Sequence, residues 1–385
     1  MRILVSSVQR DSHPTGLCRA AANHIRAMLS NEVVSSVVLA IGPWQRELFR
    51  ILLGPCEAKV ELINIDIKNR SIPRNVWYVT TLPGLARRCG ADLVHLAYPV
   101  PTFRREFHCP VVVTLHDLYP YDIPENFGFP QYFVNRVILR QCLSAVDGIA
   151  CVSNSTKSRL DSIFPTVSRR VPIVVAGNYI QTASVTPAPP AALVGLILGG
   201  FLLTVAQHRK NKNLDILLRG YAELGSRGVF SGPLVIVGSE GPETPALYEL
   251  GHSLGMQDRL IFINSISDHE LNWLYANCSL FIACSSIEGY CLPVAEARVA
   301  QARVVCSDIP ILREIGGAQC VYFSLAGNAV GNLVDAIQSS LVKEAIETCT
   351  DVQLLNSVVL EQYSKLYAQV IHGQSMIERI RFRRE

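Results

Sequence analysis

Charge is scarce in this 385-residue chain: Asp, Glu, Lys and Arg make up 17% of it. The hydrophobic fraction is 49%, which suits large cores and is incompatible with a disordered chain. Basic and acidic residues nearly cancel, 35 against 32, for a net charge of +3. That balance argues against a nucleic-acid partner, which calls for a basic stripe. None of the 12 cysteines forms a CxxC pair, and no Cys/His cluster has zinc spacing. A structural metal is therefore not expected, nor is a disulfide framework at this size. Buried free thiols in a reducing cytosol are the simpler expectation. No secretory leader is visible, because the N-terminus runs straight into a strand, Arg2 to Ser6. Val171 to His208 lacks any charged residue, but its most apolar part, Ala191 to Ala206, has only 16 residues and contains Gly199-Gly200. A spanning helix needs about 20 apolar residues, so this part reads as a linker followed by a buried strand.

What is present is an alternation of short β-rich runs and helical stretches. Ile3 to Val5, Val33 to Ala40, Val60 to Ile65, Asp92 to Leu96, Val111 to Leu115 and Gly148 to Val152 read as strands. Leu17 to Leu29, Gln131 to Ala145 and Asn154 to Ile163 read as helices between them. Continuous apolar strands separated by helices indicate a parallel sheet covered on both faces, hence a doubly wound α/β domain. Pro187-Ala188-Pro189-Pro190 then interrupts the pattern and suits a linker. The alternation restarts with strand Phe201 to Val205 and an amphipathic helix from Asn213 to Leu224, with Gly225 as its expected stop. A helix around Pro245 to Leu254 and strands at Leu234 to Val237, Leu260 to Ile263, Leu280 to Ala283 and Val304 to Cys306 follow. The expected organisation is an α/β domain over 1–183, a linker over 184–200, a second α/β domain over 201–351, and a helical tail over 352–385 that packs back on the first domain.

Ligands of such sheets bind beyond the carboxyl ends of the strands, so polar residues there are the candidates. After Val205 come Arg209 and Lys212, at the start of a helix. Cations there oppose the helix dipole, and a bound anion would relieve them; a solvated basic turn is the plainer alternative. After Ala283 comes Glu288-Gly289-Tyr290-Cys291-Leu292-Pro293-Val294-Ala295-Glu296. Pro293 suits the first turn of a helix, and amides from Gly289 to Leu292 would form an anion cradle. In the first half, His116-Asp117 and His95 end strands, and Pro14-Thr15-Gly16-Leu17 opens a helix. A lone histidine at a strand end is more often structural.

Taken in order, these segments resemble the retaining nucleotide-sugar glycosyltransferases of family 4, which have the GT-B fold of two Rossmann-like domains. Glu288 to Glu296 resembles the family's E-x7-E motif, and Arg209 with Lys212-Asn213 its R…KN phosphate motif. Leu234-Val235-Ile236-Val237-Gly238 resembles its LVIVG strand, and Ser267 to Leu271 with Leu274-Tyr275 its SDEEL…LY helix. Ser307-Asp308-Ile309-Pro310 through Gly316-Gly317 and Val152 to Lys157 are similar to the corresponding family segments.

The resemblance implies roles. Arg209 and Lys212 would bind the donor diphosphate and Glu296 the ribose. Glu288, with Gly289, Tyr290, Cys291 and Leu292, would hold the donor sugar and phosphates. His116 would line the reaction centre, Gly16 would lie beneath the donor, and backbone near Gly238 and Ile266 would meet the nucleotide. Tyr98, Tyr119 and Arg19 would face the acceptor. The implied reaction moves a hexose, mannose first, from a nucleoside-diphosphate sugar to a hydroxyl of a glycan or lipid-linked acceptor, in the assembly of a bacterial polysaccharide or glycolipid. No metal or other cofactor is implied, and the chain has no Asp-x-Asp. The expected location is cytoplasmic, with peripheral contact at the inner membrane face left open.

Three departures stand out. Tyr290-Cys291 replaces Phe-Gly of the usual EGFGLP, Cys18 replaces the second glycine of GxGR, and Asp-Pro is missing around Ser324-Leu325-Ala326. Cysteine is costly if either position needs a positive φ, and tolerated if only small size matters. Three other readings are weighed. A glycoside hydrolase using Glu288 and Glu296 leaves Arg209 and Lys212 without a role. A sugar-nucleotide 2-epimerase and an inactive nucleotide-sugar-binding scaffold share the fold, and fold alone does not decide among them.

Overall fold

A computed structural model describes residues 1–10, 15–180, 187–190, 193, 200–342 and 352–382, with side chains as far as 373. Pro14 and linker residues 184–186, 191–192 and 194–199 lie outside the described residues. The chain forms two units: Met1–Ile180 together with Gln353–Glu385, and Gln181–Val352.

The first unit begins with β1 (Arg2–Ser6), α1 (Gly16–Leu29), β2 (Ser36–Ile41), α2 (Arg46–Leu53) and β3 (Val60–Asn64). It continues through α3 (Ser71–Thr80), α4 (Leu82–Arg88), β4 (Leu93–Leu96), β5 (Val111–Leu115), α5 (Tyr119–Asp122) and α6 (Gln131–Ala145). Then come β6 (Gly148–Cys151), α7 (Asn154–Ile163), α8 (Pro165–Arg170) and β7 (Ile173–Val175). Among the described residues its sheet has seven strands in the order β3-β2-β1-β4-β5-β6-β7, and every pair is parallel. Successive side chains of a strand face opposite ways. Accordingly Val111, Val113 and Leu115 of β5 enter one apolar cluster and Val112 enters the other. Both faces are covered, which is why these strands read as uninterrupted apolar runs.

The second unit runs β8 (Leu202–Val205), α9 (Leu214–Ser226), β9 (Leu234–Val237), α10 (Thr244–Ser253), β10 (Leu260–Ile263) and α11 (Asp268–Asn277). It continues with β11 (Leu280–Ala283), α12 (Leu292–Val299), β12 (Val304–Ser307), α13 (Pro310–Gly316), β13 (Cys320–Phe323) and α14 (Ala329–Val342). Its six parallel strands, among the described residues, are ordered β10-β9-β8-β11-β12-β13. Leu214, Leu217, Leu218, Tyr221 and Leu224 form the buried stripe of α9. That helix does not stop at Gly225. It runs to Ser226, and Gly228, at φ +67°, takes the left-handed turn while Val229 N–H donates to the Leu224 carbonyl at 3.0 Å.

The last helix, α15 (Val352–Phe382), belongs almost entirely to the first unit. Val359, Tyr363, Leu366, Tyr367 and Val370 fall on one helical stripe and enter the cluster that holds Ile3, Val5 and Val112. Gly148 at the start of β6 admits this helix closely: a Cβ there would lie 2.8 Å from Val370 and 3.0 Å from Leu366. A buried polar chain sits inside the same contact. Tyr367 Oη bonds His24 Nε2 of α1 at 3.0 Å and His95 Nδ1 of β4 at 2.9 Å, and His95 Nε2 bonds Thr114 Oγ1 of β5 at 2.8 Å. The His24 ring stacks on Tyr363, with centroids 3.9 Å apart. His95 is thus part of the interior, where each ring nitrogen has a partner.

Candidate functional site

In each sheet the strand order reverses direction at one point, between β1 and β4 in the first unit and between β8 and β11 in the second. Connections on either side of that point leave in opposite directions, so a crevice opens beyond the carboxyl ends of the two strands. In the second unit the loops after β8 and β11 border this crevice, and they carry most of the residues singled out in the sequence.

After β8 the chain makes a short 3-10 turn, Lys210–Lys212, and Asn213 then adopts the left-handed conformation (φ 48°, ψ 43°) before α9 begins. Asn213 pays little steric penalty there; its side-chain amide donates to the Cys284 carbonyl at 2.9 Å. Asn211 is buried and donates to the Ile287 carbonyl at 3.3 Å, while Ser286 N–H donates to the Asn211 carbonyl at 2.9 Å. These three bonds stitch the two loops together. Across the seam the Lys212 ammonium contacts the Glu288 carboxylate, which also accepts from Ser285 Oγ at 2.7 Å. Burial works against the Lys212 charge, but Glu288 outweighs it and raises the Lys212 pKa. Arg209, at the entrance of the 3-10 turn, has no ion-pair partner among the described residues. Within the basic loop Lys212 is therefore positioned by Glu288, while Arg209 is half-buried beside it in the sequence.

Glycine at 238 follows from close approach. It ends β9, and a Cβ there would stand 2.0 Å from the Ala206 carbonyl oxygen, so the β9 loop can lie against the β8 loop only with no side chain.

Cys291 immediately precedes α12 in the left-handed conformation (φ 67°, ψ 66°). This answers one question about the departures from the family pattern: position 291 does require positive φ, and cysteine holds it at a strain of about 1–2 kcal/mol relative to ordinary backbone. Its thiol is buried, and burial, with Glu288 adding, pushes its pKa up, so it is a neutral thiol. Cys18 has a different explanation. It lies in the first turn of α1, fully buried, with Sγ 3.2 Å from the Gln9 amide oxygen; there only small size is needed.

Glu296 lies in the second turn of α12, half-buried, and accepts from Tyr275 Oη at 3.0 Å. The two motif glutamates are thus held by different partners: Lys212 and Ser285 hold Glu288, and Tyr275 holds Glu296. Tyr275 was not assigned a role from sequence, although it closes the segment that resembles the SDEEL…LY helix. Ile266 is half-buried in the turn between β10 and α11. Next to it Ser267 and Glu270 form a reciprocal capping box that fixes the start of α11. Gly289 is buried, and Tyr290 and Leu292 are half-buried.

The remaining candidates lie in the first unit. His116 follows β5, and its Nε2 bonds the Ala97 carbonyl at 2.9 Å. Burial lowers its pKa to about 4, so near neutral pH it is an uncharged imidazole whose other nitrogen is the one to offer a ligand. Thr156, held by the Ser153 cap of α7, donates to the His116 carbonyl at 3.3 Å. Gly16 starts α1, where a Cβ would meet nothing within 4 Å. Tyr98 donates through Oη to the Val8 carbonyl, Tyr119 starts α5, and half-buried Arg19 lies in the second turn of α1. Among the described residues no group of three or more His, Cys, Asp or Glu could hold a metal ion, and no helix is long and apolar enough to cross a membrane.

Comparison with known proteins places these features in a family. Residues 199–352 match the family described as Glycosyl transferases group 1, and residues 37–183 match Glycosyltransferase Family 4. The chain is 25% identical over 209 residues to the O-antigen chain mannosyltransferase B of Escherichia coli, covering 54% of this chain and 55% of that protein. It is 22% identical over 247 residues to the O-antigen chain mannosyltransferase RfbU of Salmonella typhimurium strain LT2, covering 62% and 64%. Each alignment spans less than two thirds of the relative's length. The crystal structure of Anabaena Alr3699/HepE in complex with UDP and glucose superposes with a TM-score of 0.65 at 15% identity, covering 98% of this chain and all of that one; this likeness establishes the two-domain GT-B fold. With the family matches falling on both units and the motif residues gathered at the switch point of the second, the chain belongs to the group 1 glycosyltransferases of family 4.

Proposed function

We propose that this protein is a retaining hexosyltransferase that moves a sugar, mannose first, from a nucleoside-diphosphate donor to a hydroxyl of a glycan or lipid-linked acceptor in bacterial polysaccharide or glycolipid assembly. The observation that carries the reading is the seam of the second unit, where Lys212 pairs with Glu288 just ahead of the Gly289–Leu292 turn and Arg209 opens the loop that carries Lys212. A departing nucleoside diphosphate gains negative charge as the glycosidic bond breaks. Fixed cations and helix-start amides aimed at it lower that barrier without reorganising. Arg209 and Lys212 are assigned to the diphosphate, Glu296 to the ribose hydroxyls, Glu288 and the amides after it to the donor sugar. Gly238 and Ile266 are assigned to the nucleotide's backbone contacts. In the first unit, Gly16 and His116 are assigned to the donor phosphates and the reacting centre, and Tyr98, Tyr119 and Arg19 to the acceptor side. No side chain is assigned as general base, since the leaving phosphate can take the acceptor proton on the same face. The mannose preference rests on the names of the two O-antigen relatives.

A thermal-shift panel of UDP, GDP, ADP and their hexose conjugates, with and without EDTA, tests this. Ligand that binds only the folded state raises the melting temperature by mass action. A rise with one base family that survives EDTA supports a metal-independent transferase and names the donor class. No rise with any nucleotide at millimolar concentration overturns it.

A further inference from the structure

The switch point of the first unit, between β1 and β4, also opens on a cavity, of about 430 Å3, lined by Gln9, Arg10, Leu17, Asn69, Arg74 and Tyr98. Its size falls in the range of small-molecule sites. Two lining residues are cations, two are amides and one is a phenol; no carboxylate lines it among the described residues.

Hydrogen bonds hold the framework of this cavity. Gln9 is 4% exposed and fully engaged: its N–H donates to Gln45 Oε1 at 3.2 Å, its side-chain amide donates to Ser7 Oγ at 3.2 Å, and its carbonyl accepts from Trp44 Nε1 at 2.9 Å. Its Oε1 accepts from Thr15 Oγ1 at 3.2 Å. Tyr98 is anchored to the Val8 carbonyl and lies 3.3 Å from Tyr78 Oη. Asn69 holds the Arg10 carbonyl at 2.9 Å. The two arginines stand apart from this network. Arg10 is exposed, and half-buried Arg74 keeps a buried Nε with no hydrogen-bond partner among the described residues. A buried guanidinium donor without a partner is unfavourable unless a ligand completes it. Local charge adds to the case, because from Ile67 to Ala91 the chain has five Lys or Arg and no Asp or Glu.

We infer that this cavity seats an anionic group of the acceptor, a phosphate or a carboxylate, gripped by Arg10 and Arg74. The inference rests on the transferase reading and extends it to the chemical class of the acceptor. Arginine presents a planar fork of N–H donors matched to two oxygens of such an anion. Tyr98 of its lining follows Ala97, whose carbonyl bonds His116 Nε2 at 2.9 Å.

Calorimetric titration of the full chain with methyl phosphate, glucuronate and neutral methyl glucoside tests it, alongside UDP and GDP as donor-side probes. The wild type is expected to bind at least one anion more tightly than methyl glucoside, and the tighter of the two names the source of the charge. Arg10→Ala and Arg74→Ala should each weaken that anion about tenfold or more, and Arg74→Lys should recover part of the loss. Arg10 is exposed, so Arg10→Ala does not put the fold at risk. Nucleotide binding with no anion binding, or anion binding unchanged in both alanine variants, overturns this proposal alone. Absence of nucleotide binding overturns the transferase reading, and the acceptor assignment with it.

Discussion

Acid should weaken the first unit through the histidines beneath α15. His24 is 6% exposed and His95 fully buried. Burial, with His116 nearby adding to it, lowers the His24 pKa to about 3. Burial, with His24 and His116 adding, holds His95 well below the ordinary value of 6.5. Tyr363, Tyr367, Thr114 and His116 surround them, and none of these supplies a negative charge. In the unfolded chain both rings titrate near 6.5. Because the folded pKa values are depressed, the stability these rings contribute is complete above that value. It drains away as the pH falls from 6.5 toward the folded pKa values. At pH 5 protonation of the unfolded chain favours unfolding by about 2 kcal/mol per ring, so about 4 kcal/mol for the two. His116, only half-buried by exposure, adds less. With a urea dependence of about 2–3 kcal/mol per molar, the midpoint should drop by roughly 1.3–2 M between pH 8 and pH 5. Urea titration followed by tryptophan fluorescence reads it, since Trp44 and Trp77 both belong to this unit. Tyr367→Phe separates the hydrogen bonds from the titration. It should cost about 1–3 kcal/mol at pH 8 by stranding buried ring nitrogens while leaving the pH dependence in place. A wild-type midpoint that does not move between pH 8 and pH 5 would refute neutral burial of these two histidines.

Three further outcomes are expected. Lys212→Ala and Arg209→Ala should each slow transfer by about 2–4 kcal/mol in activation free energy; kcat/KM for the donor reads this, and wild-type kinetics in both would dismantle the phosphate assignment. Tyr275→Phe should raise the donor KM several-fold, about 1 kcal/mol for one lost hydrogen bond to a carboxylate. The melting temperature should hardly change, and an unchanged KM would remove Tyr275 as the residue that positions Glu296. Cys291→Val should destabilise by about 2 kcal/mol or more, since a β-branched residue is a poor occupant of left-handed backbone, whereas Cys291→Asn should be better tolerated; differential scanning calorimetry of the pair decides it, and equal melting points would contradict the backbone reading.

The legible parts of this chain were those where one local pattern met one structural role. Strands buried on both faces, such as Val111–Leu115 and Leu234–Val237, are short uninterrupted apolar runs of strand length. Helices α3 and α4 are hard to read in the sequence because Pro73 and Pro83 lie inside them, where proline locally favours a break, and only Thr81 separates them. Strand β7 has three residues within an uncharged stretch, too few for a period. The motif residues of the second unit were visible as types and spacings. The pairing of Lys212 with Glu288 was not, because it joins residues 76 apart in the chain. The left-handed backbone at Cys291 was raised as an alternative, and only coordinates could choose it, since cysteine carries no conformational signature of its own. The contact of His24 with Tyr367 bridges 343 residues and leaves no local trace.

The composition of the first unit from both ends of the chain has a consequence for biosynthesis. Residues 1–180 leave the ribosome well before Gln353, with the whole second unit in between. At about 5–20 residues per second this interval lasts roughly 10–35 s. During it, Val112, Ala150 and the other residues that later meet Leu366 and Val370 have no covering helix. The nascent first unit is then a sticky intermediate, open to chaperones and to self-association. A chain cut short ahead of Gln353 would lack the helix that covers this face.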